Sequence, residues 1–369
     1  MGKVRLRTNL RRGIPYGVLI ALLFTSLVTI FFSVSAPRAL HGSQRHRFSA
    51  ALQPKPNVIT WHKFISSYNV PFMIALPDPA SDHNTRVIIA NAYEEVIGDV
   101  FRVFLKGRCS PGAHVLDIGA NLGIFSATSA AYGCSVTAVE AQSRLIPYLQ
   151  QTVAANEATW RRNAVVDVLN VAVFDNPGTL SIAYYNASRF GWLSMAMDAE
   201  SVRSCPSSAD CTLDIVTVVT TAELVTRDHV LIKIDVDGPE AVITKALLPA
   251  LRTYRVEAIL VEVCPTAWHE MISRTNGLEA FRTLMVEFNY DLLILNQIEF
   301  SAYHNGFLDK LQRIEGIFHP RAYSVPLHLL DELFADSTTD VNCKNVVFTN
   351  LELLVRRFAT TGGIVYPSS

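Results

Sequence analysis

Charge of either sign is scarce in this sequence. Asp, Glu, Lys and Arg make up 18% of 369 residues, and 32 basic against 33 acidic side chains leave a net charge of −1. Nothing overall would neutralise phosphates, so a general nucleic-acid binder is not expected. Cysteine pairs at the C-x₂-C spacing are missing, which removes the common structural zinc sites. No internal repeat is present, which excludes solenoids and propellers. Acids are missing from the first 13 residues, which nevertheless carry Lys3, Arg5, Arg7, Arg11 and Arg12.

Directly after that basic tail comes a run of 21 residues without charge, "IPYGVLIALLFTSLVTIFFSV", from Ile14 to Val34. As a helix it would extend ~31 Å, matching a hydrocarbon core of ~30 Å. With positive residues before it, the run is expected to leave the tail in the cytoplasm and carry the rest across. A cleaved signal peptide is the main alternative. Its apolar stretch runs only ~7–15 residues, and Pro37 would come straight after the Val34/Ala36 cleavage pair. A mitochondrial presequence would suit the arginines but not so long an uncharged run. The expected arrangement is a single-pass type II membrane protein of the Golgi or endoplasmic reticulum. It has a cytoplasmic tail (1–13), a signal anchor (14–34), a Ser/Pro/Arg-rich stem (35–57) and a lumenal domain (58–369, core 110–297).

All six cysteines lie beyond the apolar run, as suits an oxidising compartment. Cys205 and Cys211 bracket a loop-like stretch and are expected to form a local disulfide. Cys134 and Cys264 adjoin strands and are expected as buried thiols. Asn186-Ala187-Ser188 is a glycosylation sequon, a weak signal alone.

The middle of the chain alternates between strand and helix periods. Strands are expected at 114–118, 135–140, 164–174, 230–237, 257–263 and 290–296, with a late one at 344–350. Helices are expected at 124–133, 143–156, 239–252 and 277–289, and a β excursion flanks the cysteine loop. This pattern predicts an α/β fold: a Rossmann-like, doubly wound, mostly parallel sheet covered on both faces.

In such sheets ligands sit beyond the carboxyl ends of the strands. "VLDIGANLGIFS" (115–126) ends a strand and turns through Gly119, Asn121 and Gly123 into a helix. Asp117 is expected to accept from a ligand ammonium. Glu140, 17 residues past Gly123, closes the second strand, where an acid commonly grips ribose hydroxyls. Two cofactors compete. A nicotinamide dinucleotide favours G-x-G-x-x-G, but Asn121 stands where the middle glycine would be. S-adenosylmethionine has an ammonium and no phosphate, and an acid two residues before the first glycine suits it better.

Together "VLDIGANLGIFS", "VTAVEAQ", "LNVAVFDNPGTLSI", "LIKIDVDGPEAVI" and "ILVEV" resemble the FkbM-like methyltransferases, a branch of the class I S-adenosylmethionine-dependent enzymes. The resemblance covers about 110–290, with "NVVFTN" similar to a late strand of the same domain. It implies that Asp117, Gly119, Asn121 and Gly123 line the methionine end of the cofactor and that Glu140 holds the ribose. Asn170 and Ala172, after the third strand, would lie near the adenine. Asp237 stands where the family often has Glu. Residues 35–110 and 297–340 match nothing in the family.

"LIKIDVDGPE" places Lys233, Asp235 and Asp237 on one face of a strand expected to be buried. Lys233 could be half of an internal ion pair. Asp235, at the crevice, is the candidate to orient or deprotonate an acceptor hydroxyl. Glu262 ends the next strand beside it, and Glu240 suits the start of a helix. Asp235, Lys233 and Glu262 are the candidate catalytic residues. A divalent cation on Asp235, Asp237 and Glu262 is an alternative, but three acids at strand ends are too common to claim a metal. His62, His269, His304 and His319 are further base candidates, expected on loops. The acceptor is an unidentified hydroxyl, on a glycan or small molecule, and the oligomeric state is open. A noncatalytic adaptor that kept the fold, and an NAD(P)-dependent oxidoreductase, are the rival functions.

Overall fold

The structure is a computed structural model. It describes residues 59–65, 70–80, 82–90, 94–160, 164–185, 195–196, 211–236, 238–263, 274–295, 307, 309–318, 322–334 and 344–360. The expected anchor (14–34), the Asn186 sequon, Cys205, Asp237, Cys264, His269, His304 and His319 lie outside these residues. No helix among the described residues is long and apolar enough to cross a membrane.

The strands, in chain order, are β1 Thr60–Ile65, β2 Pro71–Leu76, β3 His114–Ile118, β4 Ser135–Val139, β5 Val166–Leu169, β6 Ala172–Phe174, β7 Gly178–Tyr185, β8 Met195–Ala196 and β9 Cys211–Thr220. They continue with β10 Leu231–Ile234, β11 Ala258–Val263, β12 Asp291–Leu295, β13 Gln312–Ile314, β14 Ala322–Val325 and β15 Lys344–Thr349. The helices are α1 His83–Ile89, α2 Glu95–Leu105, α3 Ile124–Tyr132, α4 Ile146–Asn156, α5 Thr221–Leu224, α6 Glu240–Leu251, α7 Arg274–Val286, α8 Leu330–Leu333 and α9 Leu351–Thr360.

Nine strands form one sheet in the order β13-β14-β12-β15-β11-β10-β3-β4-β5. From β11 to β5 every pairing is parallel. Across the whole sheet only β14 and β15 run against the others. The chain builds outward from β3 through β4 to β5, then returns to β10 on the other side of β3. The strand order therefore reverses between β3 and β10, the place where doubly wound sheets open a crevice. The expected late strand is β15, inserted antiparallel between β11 and β12.

Burial explains why these segments pair as they do. β3 is buried at all five positions and β15 at all six, as required of strands covered on both faces. Alternation divides the core into two layers. Val115 packs with Phe101, Phe104, Phe125 and Leu149 on one face. Its neighbour Leu116 packs with Ile243, Leu247, Phe281 and Leu284 on the other.

Two expectations are corrected here. The single strand expected at 164–174 is two. β5 stays in the large sheet, while β6 pairs with β9 in a four-stranded sheet β6-β9-β7-β8. The break falls at Asn170, whose side-chain amide donates to the carbonyls of Glu140 (3.0 Å) and Ala141 (3.1 Å) and turns the chain out of register. Cys134 is not a free thiol, because it forms a disulfide with Cys109. The Ser135 N–H donates to Ala113 O (3.0 Å), drawing the loop after α2 alongside the turn that ends α3. The region before residue 110, for which the sequence named no elements, carries a β1–β2 hairpin and α2. Asn156 and Thr152 of α4 hold the hairpin, accepting from the backbone N–H groups of Met73 and Ala75.

Candidate functional site

The turn after β3 has three residues with positive φ: Gly119 (78°), Asn121 (52°) and Gly123 (87°). The glycines serve the protein's own packing first. A Cβ on Gly119 would drive into the carbonyl of Asp235, so this glycine lets the turn press against the end of β10. A Cβ on Gly123 would strike the Leu149 side chain of α4. The N–H groups of Gly119 and Ala120 both reach Val139 O at 2.9 Å. The turn is thus clamped between the ends of β4 and β10.

Glu140 closes that clamp. Its Oε2 accepts from the Asn121 N–H and its Oε1 from the Gln142 N–H, each at 2.8 Å. Burial pushes its carboxyl above the usual range, against the pull of those two hydrogen bonds. A carboxylate oxygen has two lone pairs, so each still has capacity for a ligand hydroxyl.

Asp117 lies beneath the turn rather than open in the crevice, and it is fully buried. Its Oδ2 accepts from the Ser126 hydroxyl at 2.6 Å. Its Oδ1 has no hydrogen-bond partner and stands 3.6 Å from Lys233 Nζ. Ser126 joins the site although sequence reasoning gave it no role; its signal is the nine-residue spacing from Asp117 that returns α3 over the end of β3.

Lys233 is 2% exposed. Its ammonium lies 2.9 Å from Asp235 Oδ2, donates to Gly119 O at 3.1 Å and sits 5.6 Å from the Phe125 ring centroid. Burial alone would lower its pKa, but the Asp235 and Asp117 carboxylates outweigh that and hold it above the usual lysine range. Asp235 is the open member of the group, with its side chain 21% exposed. Burial disfavours its charge, yet Lys233 and a hydrogen bond with the Glu262 side chain bring its pKa below the usual carboxylate range. Of the sequence-predicted trio, Asp235 therefore touches both Lys233 and Glu262. Asp235 joins ionisation with access, and Lys233 acts through it.

The remaining candidates serve structure or sit elsewhere. Asn170 ties the ends of β4 and β5. The Ala172 side chain packs in the small sheet with Ile182, Val216 and Val218. Glu240 accepts from the Gly238 N–H at 2.6 Å and so serves the start of α6. His62 lies on strand β1 rather than on a loop. Among the described residues no group of three or more His, Cys, Asp or Glu could hold a metal. A cation already occupies the charge centre of this cluster, in the form of Lys233.

No family model matches the chain, and no match was found among curated proteins. Among solved structures it is similar to Trm5b from Pyrococcus abyssi, at 14% identity and a TM-score of 0.33, over 79% of this chain and 56% of that one. It is also similar to the Pyrococcus abyssi tRNA (uracil-54, C5)-methyltransferase in complex with S-adenosyl-L-homocysteine, at 12% and 0.31, over 78% and 44%. A third likeness is to precorrin-6y C5,15-methyltransferase from Geobacter metallireducens, at 11% and 0.29, over 67% and 86%. The chain thus spans little more than half of the first protein and less than half of the second. With TM-scores near 0.3, the functional reading rests on this chain's own residues.

Proposed function

We propose that this chain is an S-adenosylmethionine-dependent methyltransferase that acts on a hydroxyl group. One observation carries the reading: at the reversal point of the sheet, a fully buried Asp117 keeps Oδ1 without a hydrogen-bond donor directly beneath the glycine turn. A buried acceptor in that state calls for a donor, and a ligand ammonium supplies one. Glu140, with lone pairs to spare at the end of β4, suits two ribose hydroxyls.

When bound, the cofactor supplies a methyl group already activated on a sulfonium sulfur. Asp117 and Glu140 would hold it, with Asn170 near the base. Asp235 would accept a hydrogen bond from the acceptor hydroxyl, orient its oxygen and take its proton. Lys233 keeps Asp235 ionised.

The dinucleotide reading is disfavoured by one contact. The Asn121 N–H, at the position of the middle glycine, is engaged by the Glu140 carboxylate. A pyrophosphate would find that donor taken and a negative charge beside it.

We also infer a type II membrane protein with this domain in a secretory lumen, anchored through 14–34. The Cys109–Cys134 disulfide supports an oxidising surrounding. A glycan hydroxyl is then the favoured acceptor, by location alone. Protease cleavage of the domain in sealed microsomes would overturn that topology.

Calorimetric titration of the full chain with S-adenosylmethionine and, separately, NAD(P) tests the cofactor. Absence of detectable S-adenosylmethionine binding at millimolar ligand sinks the enzyme reading. Saturable NAD(P) binding in its place favours the oxidoreductase. A methyl-transfer screen over glycan, lipid and small-molecule acceptors then tests the chemistry; cofactor binding with no transfer to any class leaves the adaptor.

A further inference from the structure

The polar row that begins at Asp235 continues across the sheet. The β10–β11 register runs through Ile234 and Val261, so its next step sets Asp235 beside Glu262. Glu262 is in turn paired with Asn345 of β15. Asp235, Glu262 and Asn345 thus stand abreast on three adjacent strands. Side chains alternate along a strand. Val261 and Val346 belong to the layer of Leu116, so Glu262 and Asn345 turn to the other face, with Leu260 and Val347. Lys233, Asp235 and Asp117 share that face, because Leu231 and Val115 lie on it an even number of residues away. Asp235 and Glu262 are partly exposed, and Asn345 is 3% exposed.

Asn345 does not suit its strand. Val346, Val347 and Phe348, directly after it, are fully buried, and a strand covered on both faces asks for apolar residues. Yet the Asn345 Oδ1 is buried with no hydrogen-bond partner among the described residues. On the β12 flank the register continues to Leu295, which is buried and has no donor to give. Packing alone would be better served by a leucine, because burying a polar group without a partner is costly. A buried acceptor in that state calls for a donor, and the open end of its row is the crevice over Asp235.

We propose that Asn345 is a specificity residue and that the methyl acceptor is a sugar-like polyol, one of whose hydroxyls meets Asp235 while a second donates to Asn345 Oδ1. This rests on the reading of the site as a hydroxyl methyltransferase. Strands lie ~4.8 Å apart, so two strand spacings put the Asp235 and Asn345 backbones ~10 Å from each other. Glu262, between them, is already joined to Asp235. A monohydric alcohol on Asp235 leaves Asn345 unmet, whereas a ring carrying several hydroxyls reaches both. A site built to hydrogen-bond a substrate hydroxyl strongly rejects the analogue that lacks it, because its own buried group then stays unpaired.

The test has two steps. Calorimetric titration of the full chain with S-adenosylmethionine comes first; no binding overturns the methyltransferase reading and this inference with it. Methyl transfer is then measured to the methyl glycosides of glucose, galactose, mannose and xylose, and to cyclohexanol. At least one glycoside is expected to accept, with kcat/KM at least tenfold above cyclohexanol. Among its monodeoxy analogues that keep the methylated hydroxyl, one should lose tenfold or more, chiefly in KM. Asn345→Leu should lose as much on the intact glycoside and no longer tell it from that analogue. The urea midpoint of Asn345→Leu should not fall, since a buried acceptor without a donor is removed; a lower midpoint would make Asn345 structural and overturn the inference. So would cofactor binding with no glycoside accepted, cyclohexanol accepted equally well, or a variant that still discriminates, and each of these leaves the cofactor reading standing.

Discussion

Lys233 Nζ and Asp235 Oδ2 lie 2.9 Å apart, two residues apart on one face of the chain, with the lysine sealed beneath and the aspartate open above. Lys233→Met would leave Asp117 and Asp235 without their cation. Breaking a buried pair by removing one partner destabilises by about 3–5 kcal/mol. Denaturation in urea should show that loss. Asp235 should also titrate at higher pH, because the ammonium that opposes burial is gone. If activity survives, its acid limb should move upward; an unmoved denaturation midpoint would mean the pair is not formed in solution.

The two turn glycines should differ in their tolerance of alanine. At Gly119 (φ 78°) the added Cβ meets backbone, the Asp235 carbonyl, which cannot move without parting β3 from β10. At Gly123 (φ 87°) it meets the end of the Leu149 side chain, which can rotate away. Gly123→Ala is therefore expected to cost about 1–2 kcal/mol for the left-handed backbone, with cofactor binding kept. Gly119→Ala adds overpacking of about 1–3 kcal/mol or more and should abolish cofactor binding. Equal effects of the two substitutions would contradict the geometry.

The alternation of strand and helix was legible because each element carries its own period, and β3, β4, β10 and β11 fall within a few residues of the reading. So were the turn and its acids. The reason for the glycines was not legible, since Asp235 and Leu149 are distant in sequence. The disulfide was missed for the same reason: 25 residues separate Cys109 from Cys134, and only the fold brings them together. The break at Asn170 turns on side-chain bonds to Glu140 and Ala141 that no periodicity records. The amphipathic α2 was missed, although Ile97, Val100, Phe101 and Phe104 stand at helical spacing.

Closing that 25-residue loop restricts the unfolded chain by roughly 3 kcal/mol. Cys109→Ser/Cys134→Ser should lose about that much in reversible denaturation. Reductant should shift wild type by the same amount and the variant not at all. A reductant effect that persists in the variant would assign it to other cysteines.

His114 and His229 meet edge to face at 5.1 Å at the amino ends of β3 and β10. Burial, then the neighbouring His229 and Arg227, lowers His114 to about 3. Burial also lowers His229 to about 4, its Arg227 carbonyl hydrogen bond and Asp228 only partly offsetting this. Both are neutral when folded, whereas unfolded they take protons below about 6.5. The pair therefore costs nothing at neutral pH. Stability falls as pH drops below about 6.5, by about 1.4 kcal/mol per pH unit for each histidine. The loss levels off near the folded values. Urea midpoints across that window should fall in wild type and flatten in His114→Gln/His229→Gln; a wild-type profile as flat as the variant's would contradict the burial of the pair.

Asp235 and Glu262 are joined by a hydrogen bond. Asp235 is the ionised member, because Lys233 lies against it. Asp235→Asn keeps the shape and removes the charge. It should abolish methyl transfer while cofactor affinity stays within a few-fold, since Asp117 and Glu140 are untouched. Glu262→Gln keeps a donor toward Asp235, so transfer should fall only about tenfold or less, a loss of at most ~1.4 kcal/mol. Single-turnover rates with a working acceptor, beside calorimetric cofactor affinities, separate the two. Full activity in Asp235→Asn would move the base elsewhere and leave Asp235 as the partner that keeps Lys233 charged.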